Sequence, residues 1–418
     1  MYRDLCRLIV ENGARLVYTT SRSVGNALDK LKEDSPAFHH EVAINEKTAF
    51  ELAFAGSIST KRTACVFSTE GLYEALDPVM SSAYIGITGG FLIVCVQETE
   101  EEITPVGLFS KLPLIIAEDA GELARSIEFG YYLSDKYQMP VLIQATPALD
   151  DGRRTTDDGR QRASDSKFKI QNSKLAPSCF VKEPSRWAAT PKFRYELHKQ
   201  LNEKTERIRE EFEQYAGNTA TIHGKTGIIT NKREHVQFYE EDTSVLYVST
   251  VYPMPLRLVN DFIGQMDEVF ILEGEYPVLE MQIPERKKVR AERFERRPAR
   301  IKPSETMYGF TTVVRDTLGG ASAISMAHGI KKLEPERKVL AITYENHFFH
   351  SGMPAFVNTL YNDSSYVLLI MSSERENEIA RIMEGFGFHN YHHLSNVAEV
   401  EKFKNADKLT VLFCKGII

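Results

Sequence analysis

Polar side chains follow two apolar runs near the C-terminal end of the chain. The first run, residues 339–342, is typical of a buried parallel strand, and a turn with a carboxylate, Tyr344-Glu345-Asn346, follows it. The second run covers residues 366–371. Between them lie F-F-H-S-G at 348–352 and a helical pattern over 353–361. Because open α/β sheets bind ligands at the carboxyl ends of their strands, we expect a site at this edge.

This strand–turn–helix–strand unit resembles the diphosphate-and-magnesium segment of thiamine pyrophosphate (TPP) enzymes. It is most similar to the α subunits of indolepyruvate:ferredoxin oxidoreductases, which belong to the 2-oxoacid:ferredoxin oxidoreductases and carry F-F-H-S-G at the same point. The resemblance implies that Phe349, His350 and Ser351 contact the cofactor. It also places Glu345 and Ser373 at the two positions that bind magnesium in that family.

A turn of small residues lies upstream of the first run. Residues 317–322 read T-L-G-G-A-S and resemble the C-M-G-A-S turn of the same family, which implies that Gly319, Gly320, Ala321 and Ser322 bind the diphosphate. Small residues let a backbone approach phosphate oxygens closely. The alternative interpretation is a helix that begins tightly packed against a strand.

Glu46 is the candidate catalytic residue. It lies in A-I-N-E-K, which is similar to the V-N-E-K of the family's pyrimidine-binding domain. The resemblance implies that this carboxylate shares a proton with the aminopyrimidine ring of TPP, a role that suits a carboxylate in a dry pocket. The alternative is a glutamate that caps the first turn of the helix that follows.

Several positions depart from the family, and all of them concern the cofactor or the substrate. A family Gly-Asp pair is Tyr344-Glu345, a metal-binding Asn is Ser373, and the family's K-H-V-G-L-N is S-T-E-G-L-Y at 68–73. Loops that contact the cofactor in the family are shortened or missing. Because a buried diphosphate needs a full set of metal ions and donors, these departures predict weak or absent binding of TPP and magnesium.

Two hypotheses of different classes follow from this comparison. The first is a scaffold or regulatory paralogue with the TPP-enzyme fold and an eroded cofactor site. The second is an active TPP-dependent 2-oxoacid oxidoreductase subunit that relies on a partner for electron transfer. The missing loops favour the first hypothesis, whereas the retained Glu46, Glu345 and F-F-H-S-G favour the second.

Composition restricts the partners that we expect. The chain has 418 residues and a net charge of −7, which does not indicate a general polyanion binder, and no apolar run approaches the length of a membrane span. We expect no membrane partner, no nucleic acid and a cytoplasmic location. None of the five cysteines forms C-x-x-C, so we expect no iron–sulfur cluster within this chain; they are Cys6, Cys65, Cys95, Cys179 and Cys414.

Alternation of strand and helix patterns predicts an α/β protein with the TPP-enzyme fold, in which several mostly parallel sheets are flanked by helices. The predicted parts are a pyrimidine-binding-type domain at 1–150, a linker with a charged helix at 151–224, a transketolase C-terminal-type domain at 225–285, a basic linker at 286–302, and a shortened diphosphate-binding-type domain at 303–418.

Three further expectations concern surfaces. The resemblance implies a homodimer or a complex with a second oxidoreductase-type subunit. The basic segment 286–302 is a solvated linker or, alternatively, a dock for an acidic partner. His389, His392 and His393 are expected in a turn, where they are surface residues or metal ligands.

Overall fold

The computed structural model describes residues 2–34, 37–99, 101–146, 180, 182–187, 190–236, 242–284, 286–292, 309–316, 320–372 and 374–415. The chain divides into two compact units, Met1–Arg296 and Arg297–Ile418. Three predicted positions lie outside the described residues: Cys179, Gly319 and Ser373.

The first unit contains a seven-stranded sheet with the order β10-β5-β6-β4-β3-β1-β2. All neighbouring strands are parallel except the edge pair β10 and β5. Its strands are β1 Leu16–Thr19, β2 His39–Val42, β3 Thr63–Ser68, β4 Phe91–Val96, β5 Leu114–Ala117, β6 Val141–Ala145 and β10 Thr250–Tyr252. The central strands β3, β4, β5 and β6 are almost completely buried, which is why each appears in the sequence as an apolar run.

A second sheet of the same unit has the order β12-β11-β8-β9-β7. Its strands are β7 Thr219–Thr221, β8 Thr226–Thr230, β9 Thr243–Tyr247, β11 Glu268–Leu272 and β12 Val289–Glu292. Only the β7–β9 pair is antiparallel. Residues 289–292 lie inside the predicted basic linker and form a strand instead, whereas residues 293–308 lie outside the described part of the chain.

Helices cover these two sheets. They are α1 Tyr2–Glu11, α2 Arg22–Asp34, α3 Glu46–Ile58, α4 Thr69–Glu74, α5 Leu76–Ile85, α6 Thr104–Ser110, α7 Ala120–Tyr137, α8 Pro184–Trp187, α9 Pro191–Phe212, α10 Leu256–Gln265 and α11 Val278–Gln282. The predicted charged helix is α9, which begins at a proline and buries Leu201, Ile208 and Phe212. In the described ranges, no helix combines the length and the apolar character that a membrane crossing requires.

The second unit is built on one parallel sheet with the order β13-β14-β15-β17-β16. Its strands are β13 Thr312–Arg315, β14 Val339–Tyr344, β15 Val367–Ser372, β16 Tyr391–Leu394 and β17 Thr410–Lys415. Its helices are α12 Ser322–Leu333, α13 Glu345–His347, α14 Met353–Tyr361 and α15 Glu376–Gly385, with a π-helical stretch, Phe348–Gly352, between α13 and α14. His392 and His393 lie in β16, so their expected place in a turn was wrong.

Candidate functional site

The carboxyl edge of the third sheet brings several predicted residues together. β13 ends before Asp316, β14 ends before Glu345, and β15 ends with Ser372. The parallel register pairs Tyr344 with Met371, so Glu345 comes opposite Ser372 one step further along. Polar side chains from three neighbouring strands therefore meet at this edge, where open α/β sheets bind ligands.

Glu345 uses its carboxylate to connect two strand ends. Its Oε2 accepts hydrogen bonds from the hydroxyl of Ser372 at 2.6 Å, from the backbone N–H of Arg375 at 3.1 Å and from that of Glu374 at 3.3 Å. These donors belong to the end of β15 and to the loop that leads into α15. The carboxylate thus holds the same loop in which the family's second magnesium ligand falls.

Asp316 is the centre of a second network of hydrogen bonds, and it was not among the predicted site residues. Its side chain is 4% exposed, and its Oδ2 lies 2.7 Å from both the hydroxyl of Thr343 and Nδ1 of His347. Its Oδ1 accepts the backbone N–H of Ala323 at 3.1 Å. Since Ala323 is in the first turn of α12, Asp316 places a negative charge at the helix N-terminus, where a diphosphate is expected to bind.

The predicted diphosphate turn packs directly against the F-F-H-S-G segment. Ser351 donates its hydroxyl hydrogen to the carbonyl of Gly320. A side chain at Gly352 would meet the β-carbon of Ala321 at 3.2 Å and the ring of Phe348 at 3.0 Å, so the glycine allows the two segments to approach closely. Ala321 itself has a left-handed backbone, with φ of 60°. Three of the predicted residues, Gly320, Ala321 and Ser351, therefore form one packed corner that begins α12.

Phe349 belongs to the interior of the second unit. It is 1% exposed, and the guanidinium carbon of Arg375 lies 3.8 Å from the centre of its ring. The same guanidinium donates through Nε to Glu378 at 2.8 Å. Arg375 therefore covers Phe349 with its side chain while its backbone N–H binds Glu345. His350 and Ser322 are half-buried neighbours of this corner.

These contacts test whether the described side chains suit magnesium. Mg²⁺ requires oxygen ligands in near-octahedral geometry and repels N–H donors. Oε2 of Glu345 already accepts three donors, and the described ranges contain no cluster of three or more His, Cys, Asp or Glu side chains that could hold a metal ion. Because magnesium sites commonly combine one or two protein carboxylates with waters and phosphate oxygens, Glu345 is the described carboxylate that such a site would use at this edge. The metal roles of Glu345 and Ser373 stay predictions, since Ser373 lies outside the described residues.

Glu46 lies in the first unit, at the first residue of α3. The helix is capped by Asn45, whose side chain accepts the N–H of Thr48 at 2.8 Å, and Glu46 lies in the first turn, where an acidic side chain is favourable. The Glu46 carboxylate also accepts a hydrogen bond from the hydroxyl of Thr20 at 2.9 Å. A β-carbon at Gly71 would lie only 3.0 Å from Cγ of Glu46, so the glycine makes room for this side chain. The catalytic role of Glu46 stays a prediction.

Two apolar side chains near Glu46 face solvent. Val42 is 43% exposed at the end of edge strand β2, and Ile44 is 41% exposed just before α3. Polar residues of β2 share this edge, since the strand reads His-His-Glu-Val. The short, polar strand also explains why no apolar run predicted β2.

Comparisons with known proteins were made for the whole chain. No family model matches it. It is similar to "Indolepyruvate oxidoreductase subunit IorA" of Pyrococcus abyssi, with 25% identity across 58% of this chain and 39% of that protein. The subunit of the same name from Thermococcus kodakarensis is 27% identical across the same shares. The one from Pyrococcus horikoshii is 22% identical across 80% of this chain and 67% of that protein.

A solved structure shares the architecture. The 2-oxoglutarate:ferredoxin oxidoreductase from Magnetococcus marinus aligns with a TM-score of 0.50 and 14% identity, covering 70% of this chain and 61% of that one. This likeness confirms the predicted fold of mostly parallel α/β sheets flanked by helices. The matches to the three sequence relatives span between 39% and 67% of their length.

Proposed function

Because this chain is a divergent relative of the IorA subunits, in the 2-oxoacid:ferredoxin oxidoreductase family, we propose that it is a scaffold or regulatory subunit with an eroded cofactor site. In this proposal the chain keeps the family fold and its assembly surfaces but does not bind TPP and magnesium tightly. The proposal of an eroded cofactor site depends on hydrogen bonds within the second unit.

The hydrogen bonds of Glu345 carry this proposal. In the family, a cation at this edge would bridge two strand ends and a diphosphate. Here the Glu345 carboxylate links the end of β14 directly to Ser372 and to the N–H groups of Glu374 and Arg375. In this proposal, a magnesium ion at Glu345 competes with these three donors for Oε2, and the loss of a hydrogen bond to a charged acceptor costs about 1.5–3 kcal/mol.

Asp316 supports the same proposal from the other side of the corner. A buried carboxylate that accepts the N–H of Ala323 occupies the N-terminal turn of α12. A diphosphate at this helix end would meet a negative charge in a poorly solvated place, where repulsion between like charges is strong. In this proposal, contacts of Glu345 and Asp316 within the chain take the places of the metal ion and of the diphosphate.

The proposed assembly is a homodimer or a complex with a second oxidoreductase-type subunit. The exposed Val42 and Ile44 beside edge strand β2 offer apolar area and unpaired strand edge for such a contact. Light scattering of the purified chain, alone and mixed with a candidate second subunit, tests this part. A monomer at micromolar concentration with no co-purifying subunit would contradict it.

A second function, the active 2-oxoacid oxidoreductase subunit, is favoured by the surroundings of Glu46. The hydrogen bond from Thr20 and the space left by Gly71 hold this carboxylate in one place beside α4, as a proton-sharing group requires. In this alternative, TPP binds with residues supplied by a partner, and the partner's clusters accept the electrons.

Calorimetric titration of the full chain with TPP and magnesium separates the two functions. We expect no saturable binding at micromolar concentrations, and we expect the melting temperature to be the same with magnesium and with a chelator. Glu345→Ala should lower the melting temperature equally in both conditions, because its hydrogen bonds are structural. Micromolar affinity that disappears in Glu345→Ala would overturn the eroded-site proposal, and loss of 2-oxoacid-dependent dye reduction in Glu46→Ala would establish the alternative.

A further inference from the structure

The first unit contains a cleft that none of the predicted site residues lines. It has a volume of about 280 Å³ and lies between the C-terminal ends of α5 and α7 on one side and α8 and α9 on the other. Its size is near the lower end of the range for small-molecule sites. Nothing in the family resemblance assigns a ligand to it.

Two cations converge on one side of this cleft, next to Gly86. A β-carbon at Gly86 would lie 3.4 Å from Nη2 of Arg186 and 3.8 Å from Nζ of Lys204, with the carbonyl oxygen of Gln138 at 2.8 Å. Gly86 has a φ of 71°, which favours glycine, and the absence of a side chain lets both cationic groups approach the backbone here. The two cationic groups therefore face the same small volume.

The two cations differ in their partners. Arg186 donates to the carbonyl oxygens of Ile85, at 3.4 Å, and Ile87, so it closes the C-terminal end of α5. Among the described residues, Lys204 makes no hydrogen bond or ion pair that would offset its charge. Burial, together with the neighbouring Arg186, lowers the pKa of Lys204 to about 8. Half-buried ammonium groups without a partner are costly, and a bound anion would remove that cost.

The rest of the lining sets the character of a ligand. Phe193, Leu197 and Leu201 of α9 provide apolar surface, while Gln138 and Gln200 provide amide groups. Two acidic residues, Glu183 and Glu196, also border the cleft, and Glu183 stabilises the charge of Arg186 rather than that of Lys204. The lining thus combines an apolar wall with one unpaired cation.

We propose that this cleft binds a small organic oxyanion, a carboxylate or a phosphate ester, whose charged group lies between Lys204 and Arg186 and whose apolar part packs on α9. Charge-assisted hydrogen bonds from an ammonium and a guanidinium are among the strongest available to such a group. Because protonated Lys204 is the binding form, affinity should fall as the pH rises above about 8.

The test is calorimetric titration of the full chain with phenylacetate and with phenyl phosphate at constant ionic strength. The variant is Lys204→Met, and the matched control is Lys199→Met, which removes an exposed lysine from the same helix. We expect saturable binding of at least one probe, an affinity roughly tenfold or more weaker in Lys204→Met, and no change in Lys199→Met. The stronger probe identifies the oxyanion.

A second measurement on the unmodified chain does not depend on the folding of a variant. Acetic anhydride acetylates accessible lysines, and mass spectrometry measures the rate at each one. We expect Lys204 to be labelled more slowly when the probe that binds is added, while the rate at Lys199, the internal reference, stays the same. Equal labelling of Lys204 with and without both probes at about 20 mM, a concentration that would saturate a millimolar site, would overturn the proposal. Binding that is equal in Lys204→Met and Lys199→Met would overturn it as well.

Discussion

The carboxylate of Glu345 and the hydroxyl of Ser372 lie 2.6 Å apart at the ends of two adjacent parallel strands. The family resemblance implies a magnesium ligand at Glu345. The backbone N–H groups of Glu374 and Arg375 also donate to Glu345, so its carboxylate links the ends of the two strands.

The first prediction follows from this pair. Ser372→Ala should destabilise the second unit by about 1.5–3 kcal/mol, since a hydrogen bond to a charged acceptor is lost. Glu345→Ala should cost about 2–3 kcal/mol, and the double variant should cost less than the sum of the single ones. Hydrogen-exchange mass spectrometry of peptides from β15 and α15 measures these free energies.

The control for this cycle is Glu336→Ala, which changes an exposed glutamate between α12 and β14. We expect a change within about 0.5 kcal/mol there. Strictly additive effects of Glu345→Ala and Ser372→Ala would contradict the coupling. Exchange rates in β15 that respond to magnesium would show that a cation contributes to this edge.

The second prediction concerns Asp316. Its buried carboxylate accepts hydrogen bonds from the hydroxyl of Thr343 and the N–H of Ala323, and it contacts Nδ1 of His347. Asp316→Ala therefore leaves these polar groups without their partner. We expect a loss of about 3 kcal/mol, measured as faster hydrogen exchange in the first turns of α12. Asp407→Ala, at an exposed position of the same unit, is the control. Unchanged exchange in α12 would show that Asp316 does not hold the helix start.

Much of the fold was predictable because buried parallel strands are continuous apolar runs. The apolar runs at 339–342 and 366–371 correspond to β14, Val339–Tyr344, and β15, Val367–Ser372, so the predicted ends lie within two residues of the observed ones. Edge strands were missed, since β2 is polar and β10 has only three residues and pairs antiparallel to β5. At a sheet edge, a short segment becomes a strand because an adjacent strand pairs with it, even where its own sequence lacks an apolar pattern.

The candidate site was predictable in position but not in its contacts. Apolar runs and the F-F-H-S-G segment located the carboxyl edge of the third sheet, where Glu345 lies. The partner of Glu345 is Ser372 rather than a residue from the family pattern, and it follows from the strand register, which the sequence does not display. The contacts of Asp316 with Thr343 and His347 join residues about thirty positions apart, a spacing that only the folded sheet creates.

The third prediction concerns Gly71 and Glu46. A β-carbon at position 71 would press on Cγ of Glu46 at 3.0 Å, so Gly71→Ala should move the carboxylate away from Thr20 and cost about 1–3 kcal/mol. Gly264→Ala on α10 is the matched control, because no atom lies within 4 Å of its new β-carbon. That variant should be neutral or stabilise the helix by up to about 1 kcal/mol.

Urea unfolding measures both glycine variants, with the fluorescence of Trp187, the one tryptophan of the chain, reporting on the first unit. Equal stabilities of Gly71→Ala and Gly264→Ala would mean that α4 and Glu46 adjust freely. In that case Glu46 would not be held in the fixed place that a proton-sharing role demands.

The last prediction concerns pH and Glu273. Its carboxylate accepts the N–H groups of Leu279 at 2.6 Å and Glu280 at 3.0 Å, yet burial dominates and raises its pKa from 4.5 to about 7. Between these two values the folded chain keeps the proton that the unfolded chain has released. The contribution to stability is therefore complete below pH 4.5 and is lost as the pH rises through about 7.

The size of this effect is at most about 3.5 kcal/mol, at about 1.4 kcal/mol per pKa unit. Glu273→Gln mimics the protonated form, so the unfolding free energy of that variant should vary less between pH 5 and about 8 than that of the unmodified chain. Urea unfolding at a series of pH values gives this slope, with Glu51→Gln at an exposed position of α3 as the control. If Glu273→Gln and Glu51→Gln showed the same slope as the unmodified chain, Glu273 would be ionised in the folded state at neutral pH, and its two N–H donors would outweigh its burial.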